Sequence, residues 1–135
     1  MAEALQLEIV TPEKQVVRTA AEEIIIPAKR GYIGILPGHA PLITELAVGQ
    51  ISYKSAGREH HLAVAWGFAE VLPGKVTILA EIAERAEEID VARAEAARKT
   101  AEEQVRSAAS EAEVVRAQDA LARAQARIDV GSKRS

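Results

Sequence analysis

The chain has 135 residues, with 17 Lys plus Arg and 20 Asp plus Glu, so its formal net charge is −3. This acidic excess argues against a nucleic-acid-binding protein, and the absence of Cys excludes disulfides, thiolate nucleophiles and cysteine metal sites. No stretch contains the about 18–20 consecutive apolar residues that a membrane span needs, and the first residues do not resemble a secretory signal. We therefore expect a soluble protein without direct membrane insertion.

Composition divides the chain into two parts. All five Pro and seven of the eight Gly lie at or before Gly74, whereas thirteen Ala fall between Val91 and Val130. Gly and Pro mark turns and Ala has the highest helix propensity, so the first part is predicted to be turn-rich and the second helical. We place the boundary at about residues 84–89, which gives one domain of residues 1–86 and another of residues 87–135.

The first part consists of short apolar runs separated by turn residues. Leu5, Leu7 and Ile9 alternate with their neighbours as in a half-buried strand. Further runs follow at residues 16–17, 24–26, 33–36, 42–48, 51–53, 61–66, 68–72 and 76–82. Pro73 and Gly74 predict a type II turn with a positive φ at the glycine, and residues 55–57 predict a second hairpin loop. Breakers at about 8–12-residue spacing are typical of an antiparallel β-sandwich.

The second part is predicted to form an antiparallel hairpin of two helices, which makes the fold class α+β. Asp90 is a good N-cap for the first helix, and Ser110 with Glu113 fits a capping box at the start of the second. The second helix has one apolar seam, formed by Val114, Ala117, Leu121, Ala124 and Ile128. Because Ala buries little apolar surface, we expect the docked hairpin to be only weakly favoured and easily shifted by a ligand or partner.

The sequence offers little catalytic chemistry. It has three His, and the adjacent His60 and His61 would point to opposite faces of a strand, so they cannot chelate a metal together. It contains no phosphate-binding loop, nucleophile elbow or zinc-protease motif. We therefore expect neither catalytic residues nor a metal site.

Two features allow alternative interpretations. Arg116, Arg123 and Arg127 share one helical face and could bind phosphate oxygens, but spacing alone favours a solvated face with ordinary ion pairs such as Asp119 with Arg123. Residues 31–42 are unusually rich in Gly, Pro and apolar residues. They form either a partner surface or a tight internal crossover.

Three segments carry a resemblance to a known family: residues 34–42 (GILPGHAPL), residues 76–80 followed by Glu84-Arg85-Ala86, and residues 89–94. In order and spacing they resemble the epsilon subunits of bacterial F-type ATP synthases, the counterparts of mitochondrial delta. The last segment is similar to the ATP-binding motif [IL]-D-x-x-R-A of bacterial members. The resemblance covers essentially the whole chain.

The resemblance implies a non-catalytic rotor subunit in the central stalk, peripheral to the cytoplasmic face of the bacterial cell membrane. The sandwich would bind the gamma subunit and the ring of c subunits, coupling proton translocation to ATP synthesis. The hairpin would be a switch that inhibits ATP hydrolysis when it extends toward the alpha/beta catalytic head. The partner-contact loop would include Gly34, Leu36, Pro37, Gly38, His39 and Pro41.

The resemblance also implies that ATP is a regulatory ligand of the folded hairpin, with no cofactor required. Glu84, Asp90, Arg93 and Ala94 would form the pocket at the start of the first helix. Arg123 and Arg127 would reach the phosphates from the second helix. The alternative is a non-catalytic β-sandwich adaptor with a permanent helical hairpin and no nucleotide site.

Overall fold

The computed structural model describes residues 4–133 as eight strands followed by two helices, which confirms the predicted fold class. The outermost ends of the two predicted domains, residues 1–3 and 134–135, lie outside the described residues. The strands are β1 (Leu5–Val10), β2 (Gln15–Ala21), β3 (Glu23–Ala28), β4 (Gly31–Ile35), β5 (Leu42–Leu46), β6 (Gly49–Ser55), β7 (Arg58–Val71) and β8 (Lys75–Arg85). A 3₁₀ turn at Ala86–Glu88 leads to the helices α1 (Val91–Ser107) and α2 (Glu111–Gly131).

The strands fold into two layers around an aliphatic core. One layer has the order β2-β1-β8-β7-β5, and the other contains β4, β3, β6 and the first half of β7. Within the described residues β1 and β8 pair in parallel, whereas the other strand pairs are antiparallel. The core is built largely from fully buried Leu, Ile and Val, including Leu5, Leu7, Ile9, Ile24, Ile26, Ile35, Ile51, Leu62 and Ile78.

The longest strand, β7, links the two layers. The runs at 61–66 and 68–72 were predicted separately, but β7 is continuous for 14 residues and pairs first with β6 and then with β5. Trp66 and Gly67, at the crossing point, have positive φ angles of 54° and 126°. A β-branched or bulky residue rarely adopts such a φ, so this backbone stores strain of about 1–3 kcal/mol.

Two hairpin loops illustrate how turn chemistry sets the strand pairing. Ala56 and Gly57 join β6 to β7 with φ angles of 51° and 76°, the two positive values of a type I′ turn. In the β7–β8 hairpin Leu72 and Lys75 exchange backbone hydrogen bonds of 2.8 and 3.3 Å. Gly74 has no positive φ, so the prediction of a type II turn is wrong. A type II turn would splay the two paired strands.

The helix caps agree with the local sequence. The Asp90 carboxylate accepts a hydrogen bond from the backbone N–H of Arg93 at 3.0 Å, and the Ser110 hydroxyl accepts from that of Glu113 at 3.2 Å. The Glu113 carboxylate returns to the N–H of Ala109 (2.7 Å) instead of that of Ser110, so the capping box is shifted by one residue. The facing helices bury small side chains, namely Ala94, Ala101, Ala117 and Ala124.

A second, smaller apolar cluster docks the hairpin on the sandwich. Its buried members are Ala63, Ala86, Ile89, Ala126 and Val130. Gly131 allows close packing, since a Cβ there would lie 2.6 Å from the Val91 side chain. Because three of the five buried members are alanines, docking buries little apolar area. No helix within residues 4–133 has both the length and the apolar character needed to cross a membrane.

Candidate functional site

A cavity of about 300 Å³ lies where the end of β8, the 3₁₀ turn, the start of α1 and the last third of α2 meet. Its lining residues are Glu84, Glu88, Ile89, Asp90, Arg93, Ala94, Ala97 and Arg127. Five of the six residues assigned to an ATP pocket from the sequence are therefore brought together, namely Glu84, Asp90, Arg93, Ala94 and Arg127. The sixth, Arg123, does not line this cavity.

The start of α1 provides one wall of the cavity. Asp90 is committed to capping the helix through its bond to the Arg93 N–H. Ala94 is buried one turn later and also lines the cavity. The unpaired N–H groups of a helix start carry a partial positive charge, so this wall favours an anion.

The opposite wall is an ion pair between the two domains. The Nε of Arg127 in α2 donates to the Oε1 of Glu84 in β8 at 2.5 Å, and the two side chains are about one-third exposed. A guanidinium has five N–H donors, so this contact through Nε leaves the Nη groups able to meet a second anion. Arg127 can thus hold Glu84 and a ligand at the same time.

Arg123 lies beside the cavity, over an aromatic ring. Its guanidinium carbon is 5.1 Å from the centroid of the Trp66 ring, a cation–π geometry. The predicted Asp119–Arg123 ion pair is not formed in the part of the chain that the structure describes. Together with Glu84 and Arg127, Arg123 lines a small adjoining cleft of about 10 Å³.

Arg116 does not join the other two arginines. It is exposed near the helix–helix turn, where it lines a separate groove with Gln104, Ser107 and Glu113. The common face predicted for the three arginines holds along α2, but only Arg123 and Arg127 reach the sandwich.

Trp66, Glu88 and Ala97 were not predicted as site residues, and Ile89 was included only as the first residue of the resemblance motif. Glu88 directly precedes that motif and Ala97 follows it by one turn, so their proximity could have been anticipated. The signal for Trp66 was weaker: it is the single Trp in the chain, followed directly by a glycine.

The proposed partner-contact loop closes the opposite end of the sandwich. Gly34 lies in β4, and Leu36 beyond it is 58% exposed. Gly38 has a φ of 88°, and its N–H donates to the carbonyl of Pro73 at 2.8 Å. The loop is therefore fixed to the β7–β8 turn while it presents an apolar side chain outward. Its remaining predicted members, Pro37, His39 and Pro41, are partly or fully exposed.

An exposed apolar strip lies on the outer face of the layer with the order β2-β1-β8-β7-β5, outside the hairpin docking cluster. Its members are Ile43, Phe68 and Leu79, which are 72%, 54% and 55% exposed. Phe68 pairs with Leu79 in β8 on one side and with Glu45 in β5 on the other. Glu45 lies two residues beyond Ile43 in the same strand. Three large apolar side chains on one face are typical of a protein interface.

The two adjacent histidines contact different groups. His60 stacks on Tyr53 with ring centroids 4.9 Å apart, whereas the Nδ1 of His61 is 3.0 Å from the Ser52 hydroxyl. Burial lowers the pKa of His61, and the nearby Lys133 lowers it further. Among residues 4–133 no group of three or more His, Asp or Glu side chains is arranged to hold a metal ion.

Comparison with known proteins identifies the family. The model of the ATP synthase delta/epsilon chain β-sandwich domain matches residues 4–86. The model of the ATP synthase delta/epsilon chain long α-helix domain matches residues 87–131. The chain belongs to the ATP synthase delta/epsilon chain family. The predicted resemblance is confirmed, and the chain is a non-catalytic subunit of an ATP synthase complex.

Individual relatives agree with this assignment. The chain is 62% identical over 111 residues to the ATP synthase epsilon chain of Koribacter versatilis, covering 82% of this chain and 78% of that protein. It is 42% identical to the epsilon chain of Solibacter usitatus over 99% of this chain and 100% of the relative.

Solved structures support the fold. A chain in the cryo-EM structure of the Euglena gracilis mitochondrial ATP synthase matches with a TM-score of 0.83 and 23% identity, covering 96% of this chain and 81% of that one. A chain in the Tetrahymena thermophila central stalk and c-ring structure matches with a TM-score of 0.58 and 11% identity, covering 96% and 94%.

Proposed function

We propose that the protein is a rotor subunit of the central stalk that couples proton translocation to ATP synthesis. Its place would be the cytoplasmic face of the bacterial cell membrane, as a peripheral part of the complex. Family membership over 4–131 supports this proposal, as do the epsilon chains that it matches along most of their length.

Two surfaces of the sandwich suit two different partners. The apolar strip of Ile43, Phe68 and Leu79 would pack against the gamma subunit, because it is an exposed apolar area of the sandwich outside the hairpin docking cluster. The loop around Leu36 and Gly38 would rest on the c ring. Its backbone bond from Gly38 to Pro73 ties it to the β7–β8 turn.

The cavity between the domains supports regulation by ATP. Its lining comes from the end of the sandwich and from both helices, so a ligand there contacts all three only while the hairpin is folded down. A ligand that binds one of two conformations shifts the population toward it. ATP would therefore hold the hairpin closed, and its loss would free the helices to extend toward the alpha/beta catalytic head and inhibit ATP hydrolysis.

The cavity lining carries the carboxylates of Glu84, Glu88 and Asp90, but its arginines can bind a phosphate chain. Arg93, Arg127 and the start of α1 supply positive charge, and Arg123 lies at the edge. The volume of about 300 Å³ lies at the lower end of small-molecule sites, which span about 300–1,000 Å³. The convergence of Arg127, Glu84 and the α1 start across the domain boundary is the observation that carries the proposal.

Calorimetry of the full chain with Mg-free ATP tests this site. We expect saturable binding that weakens at least tenfold in Arg127→Ala, the loss expected when a charged hydrogen bond of about 1.5–3 kcal/mol is removed. Arg116→Ala, on the same helix but remote from the cavity, is the matched control and should bind as the parent does. Absence of saturable binding in the parent would favour the adaptor with a permanent hairpin.

A further inference from the structure

We propose that Trp66 is a latch residue: it binds the Arg123 guanidinium and so stabilises the docked hairpin through a contact outside the nucleotide cavity. The inference deepens the regulation proposed above and rests on it for its physiological meaning. The contact itself joins two side chains of this chain and can be tested without nucleotide.

The first observation is the position of Arg123. Its guanidinium is 5.1 Å from the centroid of the Trp66 ring and does not line the cavity of about 300 Å³ between Glu84 and the start of α1. The remaining docking surface of α2 offers mainly Ala126 and Val130. A guanidinium stacked on indole thus provides a directional contact where apolar burial is small.

The second observation is the backbone that presents the ring. Along β7, Leu62 and Val64 point into the core before the crossing point, whereas Ala69 and Val71 do so after it. Regular alternation from Leu62 and Val64 would turn position 66 into the core as well. The positive φ of 54° at Trp66 leaves the indole half-buried beneath α2 instead.

The third observation explains why the crossing needs Gly67 next to the tryptophan. A Cβ at Gly67 would lie 1.9 Å from the carbonyl oxygen of Leu79, so the two strands approach too closely for any side chain at that position. Strained backbone persists where the surrounding structure holds it, and it concentrates at sites with a functional role. Here the strained backbone places the single tryptophan of the chain against Arg123 of α2.

The test uses a buried thiol as a reporter of opening. The chain has no Cys, so Val130→Cys places a single thiol inside the docking cluster, and its labelling rate is proportional to the open fraction when closing is fast. In the Val130→Cys background without nucleotide, we expect Trp66→Leu and Arg123→Gln each to raise the labelling rate about two- to fivefold. This is the range expected for the loss of a cation–π contact near the surface.

Matched variants separate the latch from general damage. Trp66→Phe keeps an aromatic face, so its labelling rate should lie between those of the parent and Trp66→Leu. The double variant with Trp66→Leu and Arg123→Gln should label no faster than either single variant. Arg116→Gln should label at the parental rate. Parental labelling rates in both Trp66→Leu and Arg123→Gln would overturn the latch. Arg123→Gln leaves the strained strand untouched, so it decides the matter even if Trp66→Leu fails to fold. Adding ATP to the parent tests the nucleotide site separately, because slower labelling is expected only if ATP binds.

Discussion

The Nε of Arg127 lies 2.5 Å from the carboxylate oxygen of Glu84, and this ion pair ties the last third of α2 to the end of β8. Glu84→Gln should therefore destabilise the docked hairpin relative to the open one by about 0.5–1 kcal/mol, as expected for a pair that is partly exposed. The change is measured as the rate of thiol labelling when Glu84→Gln is combined with Val130→Cys, without nucleotide. The effect should shrink in high salt.

Lys29→Gln is the matched control for this prediction. It removes another ion pair, Lys29 with Glu45 at 3.0 Å, which lies outside the hairpin docking cluster. Equal labelling rates for the Glu84 variant and the parent would show that the pair does not stabilise docking.

Asp90 offers a way to separate helix capping from ligand contact. Its carboxylate accepts from the Arg93 N–H at 3.0 Å, a role that Asn fills equally well and Ala does not. We expect Asp90→Ala to destabilise α1 by about 1 kcal/mol and weaken ATP binding about fivefold. Asp90→Asn should change neither the stability of α1 nor the affinity for ATP by more than the equivalent of about twofold. Calorimetry measures the affinities for ATP, and circular dichroism measures the helicity. A large loss of affinity in Asp90→Asn would mean that the carboxylate charge itself contributes to ATP binding.

We expect docking of the hairpin to depend on pH through His61, because, besides burial, Lys133, which follows α2, lowers the pKa of His61. Burial lowers its pKa below 6.5 and the Lys133 ammonium lowers it further, with a smaller effect of His60 and an opposing one of Glu59. Since Lys133 disfavours the charged imidazole while the hairpin is docked, this contribution to docking is complete above pH 6.5 and is lost as the pH falls toward the lowered pKa.

We therefore expect the open fraction to rise on acidification from about pH 7.5 to 5.5, around the ordinary His pKa. Spin labels at Lys54→Cys and Gln118→Cys measure the distance between the sandwich and α2. His61→Gln should flatten the pH profile. A profile unchanged by that substitution would place the sensitivity elsewhere.

The apolar strip predicts where gamma binds. Phe68→Ser and Leu79→Ser remove side chains that are 54% and 55% exposed, so neither should change the unfolding temperature much. Each should weaken binding of purified gamma at least tenfold if it lies at the centre of the interface, since such positions cost about 2 kcal/mol or more. Val115→Ser, at 55% exposure on the hairpin, controls for loss of an exposed apolar residue.

The crossing point of β7 predicts a strong contrast between two glycines. Gly67→Ala introduces a clash with the Leu79 carbonyl at 1.9 Å and a φ of 126° that L-residues avoid. It should destabilise the sandwich by about 3 kcal/mol or more. Gly74→Ala meets nothing within 4 Å and should be close to neutral. Denaturant unfolding of both variants compares them directly.

Local features of the fold were predictable because they depend on neighbouring residues. The caps at Asp90 and Ser110 follow from side-chain oxygens placed before a helical run. The convergence of Arg127 with Glu84 was assigned through the family motif and not from the residues alone. The contact between Trp66 and Arg123 could not be predicted, because it depends on a change of face within β7 and on the docking angle of α2. The parallel pairing of β1 with β8 likewise joins distant parts of the chain, so no local pattern encodes it.

The single tryptophan gives the unmodified chain an optical readout. Because the guanidinium of Arg123 lies over the Trp66 ring while the helices are docked, departure of α2 would expose the indole to water. Its emission should then shift to longer wavelength. Hairpin movement could thus be followed in a stopped-flow fluorimeter without attaching a dye.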